Sequence, residues 1–217
     1  ILFYFHLYKN RVNQLGVKMH GEVARSFFEQ GLKKAREDQD EGLLVYLLGF
    51  GCHFLLDSTC HPYIKTIESK VSHTLIEKEL DRVLMERDGK DPFSYYPSCC
   101  IWPSLKIART IQKVFPELRA MTIYRSLIMM KRTLNRMVYR NFFGQRVLTA
   151  LLRRVDHGKL SDHIMRREKD PALNPYLDKL ELLFGEAENE APDLLLGLLS
   201  CTRGGEPLPS RFDRNYK

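Results

Sequence analysis

At 217 residues, 44% of them hydrophobic and 28% charged, the chain is long enough for one well-buried core and has an ordinary globular composition. Its 13 glycines and 10 prolines, with no Gly/Ser-rich or repeated stretch, argue against a disordered chain. The net charge of +7 is uneven: residues 101–168 hold 15 Lys/Arg against four Asp/Glu. That surplus suits anionic partners such as phosphate groups, lipid head groups or nucleic acid, and equally a solvated helix face.

The chain opens on an apolar run, Ile1-Leu2-Phe3-Tyr4-Phe5, too short for a membrane span and without the basic flank of a signal peptide. A fragment or a processed N-terminus accounts for this start, with residues missing upstream. Five cysteines, two of them adjacent at Cys99 and Cys100, do not make a disulfide framework. A reducing cytoplasm is favoured, although a secreted parent that had lost its leader would leave the same residues.

Helical periodicity then dominates. Residues 21–37 form an amphipathic helix with Val23, Phe27, Phe28, Leu32 and Ala35 inward. Residues 42–57 are apolar nearly all round and shorter than the ~20 residues a bilayer requires, so a buried core helix is expected. Gly49 and Gly51 would let a neighbour approach it closely, and Pro62 is expected to end the segment. A helix over 70–88 closes at Asp88-Gly89, followed by a loop over 89–104 whose Phe93, Tyr95, Tyr96 and Trp102 are expected mainly to pack. Further helices are expected over 104–114, 117–140, 143–155, 174–189 and 192–200. No alternating strand is evident. The expected fold is all-α, one helical domain over residues 1–200 with an irregular tail over 201–217.

The chemistry concentrates between His53 and Glu77. His53 and Asp57 stand four apart and so share a helix face, inside the most apolar segment of the chain. An uncompensated buried carboxylate costs roughly 3–5 kcal/mol, and no Lys or Arg lies in that run to neutralise Asp57. His73 and Glu77 repeat the spacing at the head of a stripe that continues through Leu80 and Leu84, and His61 lies between the two pairs. Three histidines and two carboxylates form the donor set that Zn²⁺ prefers, and the cation supplies the missing counter-charge. His20 is a further candidate ligand, equally readable as a structural residue at a helix start. His6, His157 and His163 look unconnected, and Cys60 reads as a buried thiol rather than a ligand.

H-x-x-x-D at His53/Asp57, the nearby His61 and H-x-x-x-E at His73/Glu77 together resemble the zinc-dependent phospholipase C family, typified by bacterial phospholipase C. These are all-α enzymes related in fold to the S1/P1 nucleases. The resemblance is strongest over residues 43–84. It implies up to three zinc ions: one held by His61, His73 and Glu77, and a second by His53 and His20, with Asp57 bridging to a third. The remaining ligands of that family have no match here, as in an N-terminally truncated member.

The implied reaction is phosphodiester hydrolysis by metal-bound hydroxide attacking phosphorus. The implied substrate is a phospholipid, with peripheral membrane contact. The alternatives are an S1/P1-like nuclease acting on nucleic acid and a helical protein that keeps its metal for stability only. A di-iron bundle would need H-x-x-x-H or E-x-x-H partners in further helices, and none is found.

Overall fold

The computed structural model describes residues 11–138, 141–155, 161–204 and 206–216. Among the described residues there are eight α-helices and no strand: α1 Arg11–Gly21, α2 Arg25–Glu37, α3 Glu41–Ile67, α4 His73–Arg87, α5 Leu105–Gln112, α6 Ala120–Arg136, α7 Phe142–Val155 and α8 Asn174–Thr202. Short 3-10 turns lie at Pro97–Cys100, Ser161–His163, Pro171–Leu173 and Ser210–Asp213. The fold is all-α, as the periodicity requires.

Three elements depart from expectation. No helix is expected before residue 21, yet α1 forms there. Its apolar stripe is only Val12, Leu15 and Met19, a pattern too thin to stand out but sufficient once it packs. Pro62 does not end its helix, and the two helices expected over 174–189 and 192–200 are one: α3 runs through Pro62 and α8 through Pro192. A helical proline loses one backbone hydrogen bond and crowds the preceding turn. Buried residues on either side, Cys60 and Ile64 around Pro62 and Ala187 and Leu194 around Pro192, offset that cost.

The chain divides into two compact units, residues 1–62, 101–130 and 184–217 in the first and residues 63–100 and 131–183 in the second. The core of the first unit joins Phe28 and Leu32 of α2, Leu43, Leu47, Phe54 and Leu55 of α3, and Leu194 and Leu198 of α8. Each fully buried Leu or Phe contributes roughly 1.5–3 kcal/mol. A Cβ at Gly51 would stand 2.9 Å from Leu198 Cδ1, so this glycine is what admits α8, whereas nothing lies within 4 Å of Gly49. A second cluster gathers Val12, Ala108, Ile111, Phe115, Ile123 and Leu127. The side chain of Asp40 accepts the Leu43 N–H at 3.0 Å and caps the start of α3. By length and composition alone α3 could cross a membrane. Its packed leucines and the carboxylate of Asp57, only 9% exposed, identify it instead as a core helix.

In the second unit, α4 buries Leu75, Ile76 and Leu80 together with a charged pair, Arg82 Nε to Glu79 Oε2 at 3.1 Å. Burial raises the Glu79 pKa although Arg82 opposes the shift. Arg82 also donates to the Arg166 carbonyl, and Phe93 lies under the guanidinium of Arg167 at 4.1 Å. Phe93 therefore packs, as expected of the aromatic loop. Trp102, assigned to the first unit, is 72% exposed.

Candidate metal centre

In the first unit α3 presents His53, Asp57 and His61 on successive turns of one face, because residues four apart stack along a helix. His20 faces them from the last turn of α1, not from the head of the following helix where the sequence suggested it. The carboxylate of Asp57 is the hub. Its Oδ2 lies 3.4 Å from His53 Nε2 and 3.6 Å from His20 Nε2, and its Oδ1 lies 3.8 Å from His61 Nε2. His53 is less enclosed than its apolar neighbours suggest, with 47% of its side chain exposed. Its inner edge packs against Phe50, His20 and Tyr216, and that desolvation lowers its pKa although Asp57 pulls the other way.

Main-chain carbonyls decide two of the tautomers. His20 Nδ1 lies 2.8 Å from the Gly16 carbonyl and His61 Nδ1 lies 2.9 Å from the Tyr216 carbonyl. A carbonyl oxygen only accepts, so each Nδ1 carries a hydrogen, and the neutral ring then offers its Nε2 lone pair on the side of Asp57. This is how outer partners orient metal-binding histidines.

The cluster fits zinc on its geometry as well as its chemistry. One donor atom from each of His20, His53 and Asp57 lies within 4.8 Å of the other two. Donors at ~2.0–2.1 Å from a tetrahedral zinc stand roughly 3.3 Å apart. The separations of 3.4 and 3.6 Å are close to that edge, and both exceed an ordinary hydrogen bond. Imidazole nitrogen and carboxylate oxygen are also donor types that zinc takes.

In the second unit α4 begins at His73, whose surroundings are the reverse. His73 Nε2 lies 3.0 Å from Glu77 Oε1, and Nδ1 lies 2.8 Å from Glu68 Oε1. Hydrogen bonding to Glu77, with Glu68 adding to it, raises the His73 pKa to about 9 against a desolvation that lowers it. The pair does not head a wholly core-facing stripe: the side chains of His73 and Glu77 are 38% and 45% exposed, while Leu80 further along is buried.

Three orienting groups escaped sequence reading. The Gly16 and Tyr216 acceptors are backbone atoms with no residue signature, and Tyr216 lies 155 residues from His61. Glu68 stands five residues before His73 across a turn, where no helical spacing flags it. Cys60 is buried and forms no disulfide. His163 is exposed at the end of a 3-10 turn whose Ser161 is buried, and His6 and His157 lie outside the described residues.

A family model described as zinc-dependent phospholipase C matches residues 2–140. That is more than half of the chain and includes every histidine and carboxylate of the two clusters. No curated protein and no solved structure matches it.

Proposed function

The chain belongs to the zinc-dependent phospholipase C family, and from that premise we propose that it hydrolyses the phosphodiester of a phospholipid. The observation that carries this reading is the convergence of His20 Nε2, His53 Nε2 and Asp57 Oδ2, with the Nδ1 atom of His20 already engaged. His20, His53 and Asp57 would hold one zinc, and the second oxygen of Asp57, turned toward His61, suits a carboxylate that bridges two metals. Assigning His61, His73 and Glu77 to a further zinc rests on the order of these residues along the chain, as the family resemblance has it. Zinc, when bound, supplies Lewis acidity toward phosphate oxygens and acidifies water to near neutrality.

The chain's own residues have separate tasks. Asp57 brings the negative charge that draws a cation into an otherwise apolar helix bundle. The Gly16 and Tyr216 carbonyls hold the His20 and His61 rings in the metal-ready tautomer. A lipid substrate is supported by the exposed Trp102, Leu105 and Ile107 of the first unit, which in sequence are interspersed with the exposed Lys106 and Arg109. Aromatic and aliphatic side chains flanked by cations suit the interface of an anionic bilayer.

The test is turnover by the purified zinc-loaded chain, comparing phosphatidylcholine vesicles with single-stranded DNA, with His53→Ala and Asp57→Ala as controls. Release of the phosphorylated head group, abolished in both variants, is the expected result. Hydrolysis of DNA instead of lipid would establish the nuclease alternative, and zinc binding without turnover of either would leave a purely structural metal. A chain that binds no zinc would overturn the reading as a whole.

A further inference from the structure

The segment after α8 lies outside the region matched to the family, yet it reaches the imidazole cluster. It is clasped onto the first unit at several points. Arg25 donates to the Asp213 carboxylate and to the carbonyls of Leu208 and Pro209 at 3.2 and 3.3 Å. The N–H of Ala24 donates to the Arg214 carbonyl at 3.0 Å, which satisfies a donor at the head of α2. Phe212 is fully buried, stacked on Phe54 at 5.1 Å and tilted against Phe28 at 4.4 Å. Pro209 sits on Gly197, where a Cβ would come within 2.6 Å of its ring.

The clasp delivers Tyr216, 2% exposed, to the cluster. Its carbonyl accepts from His61 Nδ1 at 2.9 Å. Its ring centroid lies 5.1 Å from that of His20 and 6.2 Å from that of His53. One residue thus touches all three imidazoles that face Asp57. Its hydroxyl has no hydrogen-bond partner among the described residues, so these contacts belong to the carbonyl and the ring.

We propose that this C-terminal segment is a working part of the metal centre and that Tyr216 is its positioning residue. The carbonyl selects the His61 tautomer that offers Nε2, and the ring holds the His20 and His53 imidazoles at the angle at which their Nε2 atoms converge. The inference rests on the zinc reading above and assigns to that site a component lying more than 70 residues beyond the matched region.

The experiment uses the full chain, first metal-free and then titrated with zinc. Two-bond ¹⁵N–¹H correlation of the imidazoles should show His61 as the Nδ1–H tautomer in the native protein. Tyr216→Ala should give a mixture of His61 tautomers and weaken zinc binding about 10-fold, the lower end of the loss expected for an outer partner of a metal ligand. Tyr216→Phe, which keeps carbonyl and ring, should match the native protein in both respects. A native His61 in the Nε2–H form would overturn the proposal even if Tyr216→Ala did not fold. Native tautomer and affinity in a folded Tyr216→Ala would overturn it while leaving the zinc reading standing. A native chain that bound no zinc would overturn both.

Discussion

His53/Asp57 on α3 and His73/Glu77 on α4 have the same spacing and opposite electrostatics. In the first unit one buried carboxylate faces three imidazoles, two of them tied through Nδ1 to neutral carbonyls. In the second, one half-exposed imidazole lies between two carboxylates. Desolvation at one site and hydrogen bonding to carboxylates at the other therefore decide protonation. Desolvation pushes His53 toward the neutral form, whereas Glu77 and Glu68 push His73 up to about 9 and keep it an imidazolium at neutral pH. A metal meets bare nitrogens in one place and must displace a proton in the other. Identical i, i+4 spacing thus specifies which residues are neighbours and says nothing of their charge.

The largest expected effect breaks the first cluster. Asp57 supplies a carboxylate that the His20, His53 and His61 nitrogens all face, so Asp57→Asn takes away the counter-charge it offers a divalent ion. Zinc affinity should fall by at least about 100-fold, beyond the 10–100-fold typical of losing an outer partner. The rise in melting temperature on adding zinc should shrink with it, since ligand stabilisation follows affinity. Competition against a chelating dye, paired with thermal melts, measures both. Native affinity in Asp57→Asn would remove Asp57 from the centre.

The reach of the sequence can be judged from the same residues. The α3 cluster is legible because helix geometry alone brings His53, Asp57 and His61 to one face, and because a lone carboxylate in an apolar run demands a partner. The all-α fold is legible for the same reason: strong stripes such as Phe28, Leu32 and Ala35 survive as a buried face. What escapes is whatever depends on contacts distant along the chain. Val12, Leu15 and Met19 make a helix only by packing with Ile111, Phe115 and their neighbours. Pro62 and Pro192 would end helices were both flanks not held in cores. The Tyr216 carbonyl has no side-chain identity to read and is delivered by a clasp built from Arg25, Asp213 and Phe212. The half-exposure of His73 likewise reflects its place in the first turn of α4, which stripe counting does not register.

A smaller effect is expected at the His73/Glu77 pair. Glu68 accepts from His73 Nδ1 and so plays there the part that main-chain carbonyls play around His20 and His61, with a full negative charge added. Glu68→Gln keeps an acceptor in place but removes that charge. The His73 pKa should drop below its value of about 9, because one of its two supporting carboxylates is gone. Zinc binding at His73 should weaken by about 10-fold or less, Glu68 being nearly half exposed and partly screened. Histidine NMR titration and zinc competition on the same protein test this. An unchanged His73 pKa would mean that Glu77 alone holds the proton.

The smallest effect is the pH dependence that His73 imposes on the metal-free chain. Its folded pKa of about 9 lies above the ordinary value of 6.5, so the folded state binds the proton more tightly than the unfolded one. This contribution to stability is fully present below pH 6.5 and is lost as the pH rises through about 9. His53, shifted down, runs the other way: its neutral form is favoured by folding, so its contribution is absent at low pH and appears as the pH climbs toward 6.5. Denaturant midpoints of the metal-free chain should therefore decline between pH 6.5 and 9, and His73→Gln should flatten that decline while leaving the acid side intact. Zinc at His73 reverses the slope, because the metal needs the neutral ring and binds more tightly as the proton leaves. A decline across that window that persists in His73→Gln would place its origin in another group and sever the protonation contrast between the two pairs.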